Sequence, residues 1–427
     1  MSNDTNKKIT KQKKVNKPDE NMNDEYLNIN PEPIPQQTSS PTKHELGQYF
    51  TTNLELKDIV YKFVLNKPKV ILEPSVGQGD LVSYIKNKNK EIKFDMFEID
   101  GNIKFLSNID KKGVIIGDFM KQKIDKKYKT IIGNPPYVRT KKGNLYIDFT
   151  EKCYNLLEEN GELIFIIPSD FFKLTSASSL LNTMITNGTF THIYHPHNEK
   201  MFEGASIDVM IYRYLKNKDE EKVVLYNDKE MYITHSDGLI TFNEDENNNE
   251  NTINDYFDIY VGIVSGRDGV YKNEKLGNID VLNGIDQIDK YIYIEKYPSG
   301  NKGIDDHLLK NKEELMGRGI RKFSEKNWFE WGAPRNITTI RKNLGRDCIY
   351  INNITRKTEV AFVGKVQLFG GGLIMLIPKK KYDLNKIVEY FNSVEFKKNF
   401  IFSGRFKIGH RQISNSFIDD ELFEELE

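Results

Sequence analysis

The sequence predicts an α/β protein: a doubly wound, mostly parallel sheet followed by a mixed α+β region. Three observations predict it. Seven short apolar runs (70–72, 92–97, 114–116, 128–133, 163–167, 190–194 and 207–214) recur through the first half, several of them separated by stretches of helical character. The first four runs end in glycine or polar residues, where a parallel sheet offers its strand ends to a ligand. Beyond residue 255 the texture changes to short mixed strands, glycines such as Gly370-Gly371-Gly372, and basic residues interleaved with aromatics.

Taken in order, residues 1–42 carry a lysine run (Lys7, Lys8, Lys11, Lys13, Lys14, Lys17) and then almost no apolar residues, a composition that predicts a disordered basic tail. Order is expected from residue 43, with His44 to Thr52 leading into a helix over roughly 54–65 that Thr51 or Thr52 would cap. The first strand runs into Glu73-Pro74-Ser75-Val76-Gly77-Gln78-Gly79-Asp80, a glycine turn that opens a helix. Such glycines let backbone pass close to a ligand, and the helix terminus favours an anion. The third glycine of the dinucleotide fingerprint is missing. The second strand ends in Glu98-Ile99-Asp100, where an acid can take a ribose diol. The third ends in Gly117-Asp118-Phe119, an acceptor and a ring suited to adenine.

The fourth strand closes on Asn134-Pro135-Pro136-Tyr137. Two prolines fix two φ angles and lack N–H groups, so the chain leaves the strand as a rigid extended corner. Asn134 Oδ1 and the Pro135 carbonyl can accept both hydrogens of an exocyclic amine, while Tyr137 stacks on its ring. Two such acceptors favour a pyramidal nitrogen with its lone pair turned toward an electrophile. Read alone, Asn-Pro-Pro is a turn. Four functional strand ends in succession make it more.

A helix (147–157) then leads to the fifth strand, closed by Pro168, and two further strands flank Met201 to Ser206. His192, His195 and His197 lack ligand-grade spacing, so no metal is expected. The polar stretch 217–255 reads as a linker or surface loop, dividing a first domain (43–216) from a second (256–427). Trp328 and Trp331 are either core anchors or part of a nucleic-acid face.

Cys153 and Cys348, the only two cysteines, lack metal spacing and point to a reducing interior. No apolar run reaches membrane-spanning length, so a soluble, intracellular protein with no membrane partner is expected. Lys+Arg and Asp+Glu balance at 62 each, but the balance is uneven along the chain. Between Arg318 and Arg411 stand 20 basic and 7 acidic residues, and nine of the eleven arginines lie beyond residue 260, the footprint expected of a phosphate-binding face.

With those residues in hand, the chain resembles the gamma-class N6-adenine DNA methyltransferases with an Asn-Pro-Pro-Tyr signature, the type II modification methylases. The resemblance covers residues 44–214 and implies a Rossmann-like class I methyltransferase sheet of seven strands, with a mixed α+β target-recognition domain behind it. It implies S-adenosylmethionine as cofactor, held by Gln48, Tyr49, Phe50, Thr51, Glu73, Pro74, Gly77, Gly79, Glu98, Ile99, Asp118, Phe119 and Asn134. Catalysis would fall to Asn134, Pro135 and Tyr137, with Phe202 as a second aromatic against a flipped base. Thr52 departs from the proline that often follows Thr51 in the family. Strings at 261–268 and 404–412 are similar to ones in the family's recognition regions, and Arg139, Arg267, Arg318, Arg321, Trp331, Arg335, Arg405, Lys407 and Arg411 are the candidate DNA contacts.

The implied partner is double-stranded DNA. A separate cognate restriction endonuclease fits the same reading, as does a monomer working in the cytoplasm, or in the nucleus or a viral factory of a eukaryotic host. The alternatives are a methyltransferase acting on a protein glutamine or an RNA amine, which can share the corner because a primary amide presents a similar NH2, and a non-catalytic DNA-binding relict.

Overall fold

The computed structural model describes residues 47–423, apart from 48, 141, 142, 218, 220, 247 and 248. The expected tail and Gln48 lie outside the described residues. Helix α1 spans Leu54–Phe63. Its cap is Asn53, whose Oδ1 accepts from Glu55 N at 2.9 Å and Leu56 N at 3.3 Å. The expected Thr51 is turned elsewhere, toward Asn134. There follow β1 (Val70–Glu73), α2 (Asp80–Lys88), β2 (Lys93–Glu98), β3 (Val114–Ile116), β4 (Tyr128–Gly133), α3 (Leu145–Leu156) and β5 (Leu157–Pro168). Next come α4 (Ser178–Thr186), β6 (Thr189–Tyr194) and β7 (Val209–Leu215).

These strands lie in the order β3-β2-β1-β4-β5-β7-β6. All run parallel except β7, which is antiparallel to both neighbours. Leu72, Ile131, Ile132 and Leu163 to Ile167 are completely buried, as expected of strands covered on both faces. The chain winds outward from β1 to β3 and then returns to β4 on the other side of β1. That reversal puts the topological switch point between β1 and β4, where open α/β sheets bind ligands.

The sheet has ten strands, not seven. The stretch 217–255, expected as linker or loop, supplies β8 (Val223–Tyr226), β9 (Lys229–Ser236) and β10 (Leu239–Asn243), which continue the sheet outward from β6. Two tight hairpins make this possible. Their central pairs, Asn227-Asp228 (φ 47° and 63°) and Asp237-Gly238 (φ 44° and 72°), are left-handed in the manner of type I′ turns.

Beyond it, β11 (Phe257–Val261), β14 (Asp347–Asn352), β15 (Ala361–Lys365) and β16 (Leu373–Pro378) form an antiparallel sheet in the order β11-β16-β14-β15. Between them in sequence lies the hairpin of β12 (Ile279–Gly284) and β13 (Gln287–Tyr291). Helix α5 (Leu384–Asn392) buries Leu384, Ile387 and Phe391 in the same core as Ile349, Ile351, Ile374 and Leu376. A short hairpin of β17 (Ile401–Phe402) and β18 (Arg405–Lys407) follows. The described residues all fall within one compact unit. No described helix is long and apolar enough to cross a membrane.

Candidate active site

The corner after β4 is held from three sides. Asn134 Nδ2 donates to the Tyr49 carbonyl at 2.8 Å and to Thr51 Oγ1 at 3.1 Å, which fixes which end of the carboxamide points outward. Ser75 Oγ donates to the Asn134 carbonyl at 3.3 Å, tying the corner to the turn after β1. Gly47 (φ 61°) packs on the corner itself; a Cβ there would stand 2.5 Å from Val138 Cγ2. Only glycine fits that approach.

The acceptor end, Asn134 Oδ1, receives the Tyr137 hydroxyl at 2.6 Å, and that hydroxyl also lies 2.9 Å from the Ile166 carbonyl. Burial pushes the phenol well above its ordinary range, so it stays a neutral donor. Its ring stacks on Tyr49, centroids 5.8 Å apart at 26°. Phe202 stands 6.2 Å from Tyr137 at 71°, and 6.1 Å from Tyr49. Phe202 is therefore brought to the corner as expected, but the two rings meet edge to face and do not bound a parallel slot.

Beside the corner, at the switch point, a narrow cleft is lined by Tyr49, Phe50, Glu73, Gly77, Asp80 and Asn134. Gly79 (φ 92°) closes the turn against Ile109, where a Cβ would meet Cγ1 at 2.5 Å. Glu73 accepts from Ser75 N at 3.2 Å, and burial raises its carboxyl well above the usual range. Glu98 accepts from Gly77 N at 2.8 Å and Asp100 N at 3.0 Å; burial still raises it, against the lowering effect of those N–H groups. Burial thus pushes both acids toward neutrality; Glu73 lines the cleft itself, while Glu98 is tied to its wall through the Gly77 N–H. Ser75 and Asp80 belong to the site and were missed by sequence reasoning. Asp80 opens α2 directly after the second glycine, which was the available signal.

The third strand end differs from expectation. Asp118 Oδ1 caps the following turn through Met120 N at 3.0 Å, and its Oδ2 lies 3.2 Å from Lys121 Nζ. Phe119 is 2% exposed and packs against Phe97 and Phe149 beneath Lys152. Its ring is core, not an open platform. Exposed apolar groups at this edge include Ile99, Ile115 and Ile116.

Several candidate DNA contacts are structural instead. Arg318 is buried, and its guanidinium donates to the carbonyls of Leu315, Ser265, Trp328 and Glu330. Trp331 is buried among Tyr271, Tyr291 and Tyr293, its Nε1 donating to the Ile292 carbonyl at 2.9 Å. Arg411 binds the carbonyls of Asp237 and Lys173 and Thr175 Oγ1, joining the C-terminal region to the first. Arg321 pairs with Glu330 and the Trp331 carbonyl. Arg267 is exposed but ion-paired with Glu314, and Lys407 faces Asp170 at 3.7 Å. Arg335 and Arg405 are half-buried, and Arg139 is exposed two residues beyond the corner. Among the described residues no cluster of His, Cys, Asp or Glu could hold a metal ion.

Strand order, the antiparallel β7 and the ligand cleft at the β1/β4 switch point together define the class I methyltransferase fold. Residues 55–202 match the Eco57I restriction-modification methylase family. The chain is 33% identical over 208 residues to the type II methyltransferase M.HincII of Haemophilus influenzae, covering 43% of this chain and 40% of that one. It is 26% identical over 214 residues to the type II methyltransferase M.AccI of Acinetobacter calcoaceticus, covering 43% and 39%. The chain thus spans about two fifths of the length of these relatives. The type IIL restriction-modification enzyme MmeI, solved in complex with DNA, shares the fold at a TM-score of 0.55 and 11% identity, over 84% of this chain and 64% of that one. These matches bear out the resemblance to type II modification methylases.

Proposed function

We propose that this protein is a DNA methyltransferase of the restriction-modification type that methylates N6 of an adenine turned out of double-stranded DNA. The observation that carries the reading is the orientation of Asn134: Tyr49 and Thr51 hold its amide end, so the acceptor end is turned toward Tyr137. Oδ1 and the Pro135 carbonyl would take the two amine hydrogens, and the Tyr137 ring would stack on the base.

S-adenosylmethionine, when bound, supplies the electrophilic methyl group. Glu73 would take its ammonium group, the Gly77–Gly79 turn would give close backbone, Glu98 would take a ribose diol, and Asp118 and Ile99 would border an adenine. The cleft itself holds only ≈ 30 Å³, so Glu73 and Gly77 in its lining would grip one end of the cofactor, with Glu98, Asp118 and Ile99 outside it. No general base is required before transfer, because the methylated nitrogen sheds its proton readily afterward. Turning the base out costs a few kcal/mol. One base–aromatic stack returns about 1–3 kcal/mol, so Tyr137 needs the hydrogen bonds and Phe202 beside it.

The test is transfer of labelled methyl from the cofactor to unmethylated duplex DNA, followed by nucleoside analysis. Label in N6-methyladenine is the expected result. Label in cytosine, or transfer only to RNA or protein, would refute the reading.

A further inference from the structure

The β17–β18 hairpin of the C-terminal region rests on the loop that carries Phe202, and the joint is polar. The hairpin tip, Ser403-Gly404, turns through two left-handed residues at φ 50° and 64°. Ser403 N–H donates to Asp208 Oδ2 at 3.1 Å. The same carboxylate accepts from Ser169 Oγ at 2.7 Å and pairs with His195 Nε2 at 2.8 Å. Asp208 is only 9% exposed, so three directional partners converge on one buried carboxylate.

Those partners come from strand ends. Ser169 directly follows β5, and its N–H donates to the Asp208 carbonyl at 2.9 Å. His195 directly follows β6; its Nδ1 lies 2.9 Å from the Tyr226 hydroxyl, and the Asn227 side chain bonds both its N–H and its C=O. His195 and Asp208 therefore close the two ends of loop 196–207, with Phe202 between them. Inside the loop, Ser206 Oγ donates to Glu199 at 2.7 Å and Ile207 N–H to the Glu199 carbonyl at 2.9 Å. Ser206 and Ser403 hydrogen bonds hold the Glu199 carboxyl below its ordinary range, with Arg405 in electrostatic reach. The hairpin meets the loop twice, at Asp208 and at Glu199.

We propose that Asp208 is a positioning residue that couples this hairpin to the Phe202 loop, so that seating the hairpin on DNA sets the Phe202 ring against the extruded base. The link is electrostatic: a phosphate that engages Arg405 would weaken its pull on Glu199, and the change would reach the loop through the Ser403 tip, which bonds Asp208 and Glu199. The proposal rests on reading the site as a base-extruding methyltransferase.

The experiment is a double-mutant cycle on the full chain, using Asp208→Asn, which keeps the shape and removes the charge, and Arg405→Ala. The methylated site is first mapped by sequencing DNA from expressing cells. Single-turnover methyl transfer is then measured on a duplex containing it, and base extrusion is followed by fluorescence on a second duplex in which 2-aminopurine, which lacks the acceptor amine, replaces the target adenine. Each single variant should slow transfer about tenfold and weaken the 2-aminopurine signal, and Arg405→Ala should cost less than about threefold on the Asp208→Asn background. Cofactor affinity should not move. Fully multiplicative losses, a wild-type rate for Asp208→Asn, or losses that merely follow the folded fraction would each overturn the coupling. If Asp208→Asn does not fold, Ser169→Ala removes one bond to the same carboxylate and carries the cycle. A wild-type chain that methylates no DNA would instead sink the underlying reading, and this proposal with it.

Discussion

Replacing Tyr137 by phenylalanine removes one oxygen and separates two jobs that the residue performs. The hydroxyl stands 2.6 Å from Asn134 Oδ1 and 2.9 Å from the Ile166 carbonyl, yet its single proton serves one acceptor well at a time. With no base present it masks Oδ1; on the proposed reading, a base amine there would turn it to Ile166. Tyr137→Phe therefore costs about 1 kcal/mol of stability through the Ile166 carbonyl, the usual net worth of such a bond. It also removes a competitor for Oδ1, so kcat/KM should change by no more than about fivefold, the kinetic equivalent of that one bond. Tyr137→Ala is a different perturbation. It deletes the stack, worth about 1–3 kcal/mol or roughly 5- to 150-fold in kcat/KM. It also leaves a hole against Tyr49, Tyr146 and Phe202, at about 3–5 kcal/mol of stability. Labelled-methyl kinetics on duplex DNA, run beside thermal unfolding, separate the two effects. Equal losses of kcat/KM in the two folded variants would refute the stacking role.

The other expectations follow from the same site and its foundations. Asn134→Ala should abolish transfer while leaving cofactor affinity nearly unchanged by calorimetry; retained methylation would show that the carboxamide is not the acceptor. Burial raises the Glu73 carboxyl well above its ordinary range in the free protein, and a cationic ammonium beside it would favour the ionised form. Cofactor binding should therefore release a proton and tighten as pH rises from the ordinary carboxylate range toward the raised value, which calorimetry in buffers of different ionisation enthalpy measures directly. Since its folded pKa lies above the unfolded one, Glu73 also costs the free protein stability as pH rises through that window, and no proton release would argue against its placement. Glu162 is fully buried, with Arg213 Nε at 2.8 Å and Thr130 Oγ1 at 2.8 Å. Glu162→Ala strands the guanidinium and should cost about 3–5 kcal/mol in urea unfolding.

Much of the sheet was legible because its strands are buried on both faces, and such strands write continuous apolar runs. The corner was legible because two consecutive prolines after a strand have few other uses. β8, β9 and β10 were not read, although Asp237-Gly238 is a strong hairpin signal. Polar residues on the half-exposed face of β9, and the acidic run after β10, hid the alternation. The capping of α1 failed for a related reason. Thr51 and Asn53 are both good caps in isolation, and only the fold shows that Thr51 is spent on Asn134. Phe119 was misplaced because one face of a strand end cannot be told from the other without the helix α3 that covers it.

The arginine cluster misled for a chemical reason worth separating from the others. A guanidinium offers five donors in a planar fork, and that fork fits phosphate or guanine no better than it fits converging carbonyls. Arg318 uses it to gather four carbonyls around a turn that no secondary structure could satisfy, and Arg411 uses it to bind three acceptors across two regions of the chain. Charge density in sequence therefore overstates charge available to a ligand, and the count must be discounted residue by residue. Arg139, exposed beside the corner, and the half-buried Arg405 at the hairpin stand near the groups proposed to hold the base. A phosphate contact at either would act on the geometry of the site as well as on affinity. Substituting Arg139 or Arg405 should therefore change kcat along with the salt dependence of binding, whereas substituting the ion-paired Arg267 should change little but the latter.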